Sequence, residues 1–179
     1  IARRKTSGGV RLRRTTLARN APKPRRGSVT VRRRRRSLNV EPVRSVEVEG
    51  LADNYFFNVI DWSADGVAVG LANALFDWNT TDNTASQLCA DAVFLNVCCV
   101  RCWGERIFVG DAGGTVYTVD HAQDRVVAQR NVHTAEVNCI EWLGTTLVTG
   151  ARDGTLRFCD RRDVAREACR VSLPTGVCG

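Results

Sequence analysis

The segment from Val137 to Asp160, VNCIEWLGTTLVTGARDGTLRFCD, has near-copies at a fixed spacing in this chain of 179 residues. Its apolar and glycine landmarks are Val137, Cys139, Ile140, Trp142, Leu147 and Gly150. Forty residues earlier the same places hold Val97, Cys99, Val100, Cys102, Ile107 and Gly110. Another forty residues back they hold Phe57, Val59, Ile60, Trp62, Val67 and Gly70. Three apolar patterns in one frame indicate an internal repeat.

Each copy of the repeat contains short alternating strands and a glycine-rich turn, such as Asp153-Gly154 in the last copy. This combination is typical of the blades of a WD-repeat β-propeller. The sequence therefore predicts an all-β fold, a partial propeller with blades at 55–90, 96–130 and 137–172. Within them we expect inner strands at 55–61, 96–101 and 137–141, second strands at 66–70, 106–110 and 146–150, third strands at 74–78, 115–119 and 155–159, and outer strands near 87–90, 125–130 and 168–172.

The same frame places the start of a fourth blade at Val177, which lies forty residues after Val137. Three blades and a stub leave two sheet edges open, and propellers usually hide such edges by closing into a ring. We therefore expect the sequence to be a fragment of a longer propeller. The alternative is an intact small protein that completes its ring with a partner.

Charge divides the chain into two parts. Residues 1–37 carry fifteen of the 26 Lys and Arg residues and no acid, so the remainder has eleven bases against nineteen acids, a net charge of −8. The first part contains few large apolar groups and is predicted to be a disordered arm. Its unbroken run of bases suits nuclear import or phosphate contact, and it consists of Arg32, Arg33, Arg34, Arg35 and Arg36. Residues 38–54, with alternating Val and Glu, read as an extended lead-in to the first blade.

The eight cysteines do not predict a metal site or a disulfide framework. Cys99 and Cys139 fall on the core position that Val59 holds in the first copy, where a free thiol packs as a small apolar residue. Cys99-x-x-Cys102 has the spacing of half a zinc site, but no second pair follows at a suitable distance. Nothing predicts a cofactor, and no apolar run is long enough to span a membrane.

His133 and Asp153 have the spacing of a side-chain contact that stabilises a blade. In typical WD repeats a His before the inner strand meets an Asp in the second hairpin turn, and His133 and Asp153 occupy these two positions. Trp62 and Trp142, at one repeat position of the inner strand, are expected to support the blades as well. A catalytic His–Asp pair is the alternative, but no Ser or Cys nucleophile stands at a favourable spacing, so no catalytic residue is predicted.

The entry to the first blade is the most specific motif. It reads PVRSVEVEGLADNYFFNVIDWS over residues 42–63, followed by VAVGLANALFDW over 67–78. This resembles the Fizzy family of WD-repeat activators of the anaphase-promoting complex, over about residues 38–179. Propellers of that family open with Pro-x-Arg-x-Leu-Asp-Ala-Pro and then Asp-Asp-Tyr/Phe-Tyr-Leu-Asn-Leu-x-Asp-Trp-Ser. The family's C-box motif is not found in residues 1–40.

The resemblance implies a non-enzymatic adaptor that presents proteins with destruction-box or KEN-type degrons to the ubiquitin ligase. In the family, the acid and the Leu of the lead-in meet the Arg and the apolar residue of the destruction box, and Glu47 and Val46 stand in those places. The acid and aromatic that contact the KEN peptide correspond to Asn54 and Tyr55, and Asn54 lacks the family's negative charge. The alternative is that Glu47 is a solvated linker charge and Tyr55 packs on the rim.

The sequence therefore leads to two alternative hypotheses for the function. The first is a substrate-recruiting activator in the nucleus and cytoplasm, with ligase subunits, degron-bearing substrates and checkpoint inhibitors as partners. The second is a propeller scaffold that binds RNA through its arginine arm, for example in ribosome assembly. Nucleic acid is a partner only under the second hypothesis, and neither involves a membrane.

Overall fold

The computed structural model describes residues 41, 45–63, 66–160 and 163–178, with residues 163–166 described by their backbone alone. The predicted disordered arm, residues 1–37 with its arginine run, lies outside the described residues, as do 38–40 and 42–44 of the lead-in. The chain divides after Ser45, and the second unit, Val46–Gly179, contains all the strands described below.

Twelve β-strands make up the regular structure of the described residues, in three antiparallel sheets of four. Each sheet is a meander in which consecutive strands pair. The first contains β1 (Ile60–Trp62), β2 (Gly66–Leu71), β3 (Ala74–Asn79) and β4 (Thr84–Leu88). The second contains β5 (Val97–Trp103), β6 (Arg106–Asp111), β7 (Thr115–Asp120) and β8 (Arg125–Asn131). The third contains β9 (Val137–Leu143), β10 (Thr146–Ala151), β11 (Thr155–Asp160) and β12 (Asp163–Ser172).

In the second and third sheets, the tight turn between the second and third strands contains a glycine with a positive φ angle, whereas in the first sheet Ala72 takes this place with a φ angle of 48°. Gly114 and Gly154 have φ angles of 81° and 77°, a region that residues with a Cβ atom rarely adopt. Each follows a turn that contains one Asp, Asp111 or Asp153, and precedes a Thr that begins the next strand. The Gly-Thr pair therefore marks where this hairpin reverses in the second and third sheets.

Two hydrophobic cores fill the spaces between neighbouring sheets. The core between the first and second sheets contains Val59, Ala68, Leu75, Leu88, Cys89, Phe94, Val97, Val100, Ile107, Val109, Tyr117 and Val119. The core between the second and third contains Cys99, Phe108, Val116, Val132, Val137, Ile140, Leu147 and Cys159. Residues of the second sheet appear in both, because a strand directs successive side chains to opposite faces.

A glycine in each second strand allows the next sheet to approach closely. A Cβ atom at Gly110 would lie 2.8 Å from Val137 Cβ and 2.6 Å from Cys99 Sγ, and one at Gly150 would lie 2.7 Å from Val177 Cγ1. Gly70 meets Val97 in the same way. The forty-residue spacing of these glycines therefore reflects a repeated packing contact between blades.

Val177, which follows the third sheet and lies outside its strands, is hydrogen-bonded to that sheet. The Val177 N–H donates to Ala151 O at 2.9 Å, and the Asn138 side-chain amide donates to Val177 O at 2.8 Å. The Val97 N–H, at the start of the second sheet, donates similarly to Ala72 O at 2.6 Å. Val177 thus occupies the place from which a fourth blade would start, as the repeat frame predicts.

The first sheet differs most from its predicted boundaries. Its inner strand is only Ile60–Trp62, because residues 55–56 form a turn and Asn58 makes an isolated bridge to Cys99. The outer strand, expected near 87–90, is Thr84–Leu88 and so begins three residues earlier than predicted. Its sequence TASQL is mostly polar because that strand is mostly exposed. In the third sheet the outer strand begins at Asp163, five residues earlier than expected.

Candidate functional site

The lead-in to the first sheet is an exposed segment without strand structure. Val46 and Glu47 are both exposed, and the chain then turns at Gly50, whose φ angle is 79°. The structure therefore leaves the carboxylate of Glu47 and the apolar side chain of Val46 in solvent, where a peptide could reach them. Neither side chain is buried in the propeller. Among the described residues, no ion pair joins Glu47 to a base.

Asn54 and Tyr55 form a turn immediately before the first sheet. The Asn54 Oδ1 atom accepts the Phe56 N–H at 3.1 Å, and its backbone carbonyl accepts the Phe57 N–H at 3.0 Å. This is an Asx-type turn, in which the side chain mimics a backbone acceptor. Tyr55 is 95% exposed, and its ring meets that of Phe56 edge to face at 5.5 Å. Asn54 therefore shapes the turn, while Tyr55 presents an aromatic face to solvent.

The turn is attached to the second sheet by backbone hydrogen bonds. The Asn58 N–H donates to Cys98 O at 3.0 Å, and the Val100 N–H donates to Asn58 O at 2.8 Å. These bonds form a parallel bridge between Asn58 and Cys99. The end of this segment at Asn58 is therefore fixed beside strand β5.

His133 and Asp153 meet in the third sheet, together with two threonines. His133 Nδ1 lies 3.1 Å from Asp153 Oδ2, and His133 Nε2 lies 2.8 Å from Thr149 Oγ1. The Thr155 N–H donates to Asp153 Oδ1 at 2.9 Å and the Thr134 N–H to Asp153 Oδ2 at 3.0 Å. The network joins the loop before β9 to strand β10 and to the turn before β11, which is a structural role.

The protonation states follow from this environment. Burial lowers the pKa of His133, although Asp153 acts in the opposite direction. Burial alone would raise the pKa of Asp153, but hydrogen bonds from Thr155 and Thr134 bring it down to about 2. Since the ionised carboxylate only accepts hydrogen bonds, His133 Nδ1 carries the proton and His133 Nε2 accepts from the Thr149 hydroxyl. Both ring nitrogens are engaged and the side chain is fully buried, so it is unavailable to a substrate.

The second sheet replaces this network with a different one, which the sequence did not predict. Val93, Val109 and Gly113 occupy the places of His133, Thr149 and Asp153 in the repeat frame. The buried carboxylate is instead Asp111. Its Oδ1 atom accepts the backbone N–H groups of Gly113 at 3.0 Å and Thr115 at 2.9 Å, and its Oδ2 atom accepts the Tyr117 hydroxyl at 2.9 Å and the Leu95 N–H at 3.2 Å.

The contact with Asp111 also affects the pKa of the Tyr117 hydroxyl group. Burial, followed by the carboxylate of Asp111, raises the pKa of Tyr117 to about 12, so the hydroxyl remains a donor. It lies 3.3 Å from Val93 O in addition. The signal that could have revealed this network is Asp111 itself, because it stands where the third sheet has the apolar Ala151.

Three charged residues at the same repeat position join the inner strands of all three sheets. Arg101 lies between Asp61 and Glu141, with its guanidinium nitrogens 3.6 Å from Asp61 Oδ1 and 2.7 Å from Glu141 Oε1. Asp61 Oδ2 also accepts the Cys102 N–H at 2.7 Å. The spacing of 61, 101 and 141 is a signal that sequence reasoning missed, since alternating acid and base at one repeat position predict such a ladder.

The two tryptophans expected to support the blades behave differently. The Trp142 ring packs against the Trp103 ring with 4.3 Å between centroids and a tilt of 55°, and it meets the Phe108 ring edge to face at 5.0 Å. Trp62, at the equivalent position of the first sheet, is 72% exposed, which corrects the expectation that it packs in a blade core. The physical reason is that Trp142 packs against the preceding sheet, whereas no described sheet precedes the first one.

The cysteines are free thiols with structural surroundings. Cys99 is buried and lies with its Sγ atom 3.0 Å from Val137 O, and burial raises its pKa well above the ordinary value. Burial likewise raises the pKa of Cys102 to about 12. Within the described ranges, no group of three or more His, Cys, Asp and Glu residues is arranged to hold a metal ion, and no described helix is long and apolar enough to cross a membrane.

Three successive four-stranded meanders, packed face to face, define a partial WD-repeat β-propeller. No protein-family model matches the chain. Among curated proteins, it is 29% identical over 152 residues to Protein FIZZY-RELATED 1 of Arabidopsis thaliana, which covers 80% of this chain and 31% of that protein. It is 28% identical over 150 residues to the APC/C activator protein CDC20 of Saccharomyces cerevisiae, covering 80% of this chain and 24% of that protein. The chain is thus a sequence relative of the Fizzy family, and the resemblance seen in its first-blade entry is confirmed.

A solved structure supports the same conclusion for the fold. A chain in the crystal structure of the mitotic checkpoint complex matches with a TM-score of 0.70 and 25% identity, over 94% of this chain and 50% of that one. The predicted all-β, partial propeller is therefore confirmed. The chain spans about a third or less of the length of these two curated relatives.

Proposed function

We propose that this chain is part of a substrate-recruiting activator of the anaphase-promoting complex and that it recognises destruction-box and KEN-type degrons. The observation that carries the proposal is the Fizzy-type entry at residues 42–63, in a chain related to a yeast protein named as an APC/C activator. Its partners would be ligase subunits and degron-bearing substrates. Checkpoint inhibitors are added because the matching solved chain belongs to the mitotic checkpoint complex.

For the destruction box, the proposed contacts are Glu47 and Val46. A carboxylate against the guanidinium of the degron Arg makes a charge-assisted and bidentate hydrogen-bonded pair. The exposed apolar side chain of Val46, one residue earlier, would cover an apolar residue of the same peptide. The exposure of both side chains in the lead-in supports this role.

For the KEN-type degron, the proposed contact is mainly Tyr55. Its exposed ring can pack on the peptide and attract the degron Lys through a cation–π interaction. Asn54 contributes by holding the turn, because its side-chain oxygen already accepts the Phe56 N–H. Recognition of the Lys would therefore depend on the aromatic face and not on a carboxylate at position 54.

The proposed role is that of an adaptor and not of an enzyme. The His–Asp pair weighed above as a catalytic alternative is the buried His133–Asp153 contact, in which both ring nitrogens are hydrogen-bonded within the fold. We place the protein in the nucleus and cytoplasm, where a ligase activator would meet its substrates.

A second candidate is an RNA-binding scaffold, favoured by the fifteen bases and no acid of residues 1–37. Such an arm binds phosphates with an affinity that falls steeply with salt.

Affinity capture separates the two candidates. We expect the protein, tagged at its own locus and captured from dividing cells, to enrich subunits of the anaphase-promoting complex over an untagged control, as quantified by mass spectrometry. Nuclease treatment should leave that enrichment unchanged. Recovery of ribosomal and RNA-binding proteins alone, lost on nuclease treatment, would support the scaffold and contradict the activator.

A further inference from the structure

The two tyrosines of the chain stand in opposite surroundings. Tyr117 is 4% exposed, and its hydroxyl donates to Asp111 Oδ2 at 2.9 Å. Tyr55 is 95% exposed, and its hydroxyl makes no hydrogen bond to another described residue. Of the two phenol groups, only that of Tyr55 can therefore be reached by an enzyme from solution.

The backbone that carries Tyr55 is exposed and contains no strand from residue 45 to residue 57. The local contacts are short-range ones, in which Asn54 Oδ1 accepts the Phe56 N–H at 3.1 Å and the Tyr55 ring meets that of Phe56 at 5.5 Å. Segments held only by such contacts open at a small free-energy cost. A modifying enzyme can thus bind this segment without separating any of the three sheets.

The charges that precede Tyr55 are negative. Glu47, Glu49 and Asp53 are all exposed, and residues 45–57 contain no Lys or Arg. Such a segment attracts an enzyme with a basic substrate groove and speeds their encounter.

We infer that Tyr55 is a phosphorylation site for a protein tyrosine kinase with a basic substrate groove. In the transfer, the phenol oxygen of Tyr55 bonds to the γ-phosphorus of ATP, and the bond from that phosphorus to the bridging oxygen breaks. ADP leaves, and the phenol proton passes to the catalytic-loop aspartate of the kinase.

The phosphate changes the charge of the segment. Residues 45–57 contain three acids and no base, a net charge of −3, and a phosphotyrosine brings this to about −5 at neutral pH. Its oxygens also accept bidentate hydrogen bonds from arginine. The modified segment therefore attracts basic partners more strongly and repels acidic ones. As regulation of the segment that carries the proposed degron contacts, this consequence rests on the proposed function, whereas the phosphate itself does not.

The test uses the protein tagged at its own locus and captured from dividing cells treated with vanadate, which inhibits tyrosine phosphatases. We expect tandem mass spectrometry to locate a phosphate on Tyr55 and none on Tyr117. A purified tyrosine phosphatase should remove it. Tyr55→Phe should abolish the phosphotyrosine signal of the chain, and Tyr117→Phe should leave that signal in place.

The dependence on the acidic context is tested in the same cells. Glu49→Gln combined with Asp53→Asn should lower the phosphorylated fraction about threefold or more. The matched control Glu105→Gln removes an exposed carboxylate between β5 and β6 and should leave that fraction unchanged. Circular dichroism melting of each variant verifies that the fold is retained.

An unmodified Tyr55, a phosphate on Tyr117, or a phosphorylated fraction that is the same with and without the two acids would each overturn the inference. Because the phosphate is read on the chain itself, it can be absent while ligase subunits are captured, and it can be present while none are.

Discussion

The Asp111→Ala variant is expected to lose about 3 kcal/mol or more of unfolding free energy. Asp111 is 1% exposed and accepts hydrogen bonds from three backbone N–H groups and the Tyr117 hydroxyl. Alanine leaves the Tyr117 hydroxyl, which is buried, and three part-buried N–H groups without their acceptor, and each unsatisfied buried donor costs about 1–3 kcal/mol. Urea denaturation followed by circular dichroism measures the effect.

Asp91→Ala is the matched control, because that carboxylate is exposed and its loss should change the unfolding free energy by less than about 0.5 kcal/mol. Tyr117→Phe removes one of the four hydrogen bonds to Asp111 and is expected to cost about 1 kcal/mol. An Asp111→Ala variant as stable as Asp91→Ala would show that the network does not hold the second sheet together.

The second large effect is expected at Gly110, where alanine should cost about 2–3 kcal/mol by overpacking. The added methyl group would stand 2.6 Å from Cys99 Sγ and 2.8 Å from Val137 Cβ, both closer than such contacts allow. Since Val137 is fully buried at the start of the next inner strand, the clash separates the second and third sheets. Chemical denaturation of the single variants and of their combination measures the cost.

A double-mutant cycle tests whether the cost arises from this contact. Gly110→Ala combined with Val137→Ala should be less destabilising than the sum of the two changes, with a coupling of at least about 1 kcal/mol. Gly110→Ala combined with Leu75→Ala, in the other core, should be additive. Additivity in both combinations would refute the proposed blade-to-blade contact.

The second and third sheets could be predicted closely because their sequences alternate clearly and contain an Asp or Gly turn at each reversal. Every inner, second and third strand of these two sheets begins within one residue of its expected position. The first sheet was less predictable for physical reasons. The Asx turn at Asn54 removes Tyr55 and Phe56 from the inner strand, and the exposed outer strand needs no apolar alternation.

The candidate site could be predicted only in part. The His133–Asp153 contact could be predicted because the two residues stand at the repeat positions where a His and an Asp meet in typical WD repeats. The Asp111–Tyr117 network was not, since it joins residues at places where the other copies have different chemistry. The environment of Trp62 was predicted wrongly, because a repeat position does not indicate whether a neighbouring sheet is present to cover the side chain. The degron contacts at Val46, Glu47, Asn54 and Tyr55 stay predictions, for which the structure supplies exposure and backbone geometry.

The most direct measurement of degron reading is a reciprocal charge exchange at Glu47, measured by fluorescence anisotropy with a labelled Arg-x-x-Leu destruction-box peptide. We predict that Glu47→Arg weakens binding about tenfold or more, that a peptide with Glu in place of the Arg recovers affinity for this variant, and that the neighbouring Glu49→Arg has a much smaller effect. Binding of the Arg peptide that is equally tight in the wild type and in Glu47→Arg, with no gain for the Glu peptide, would contradict the assignment of this propeller entry as a degron-reading surface.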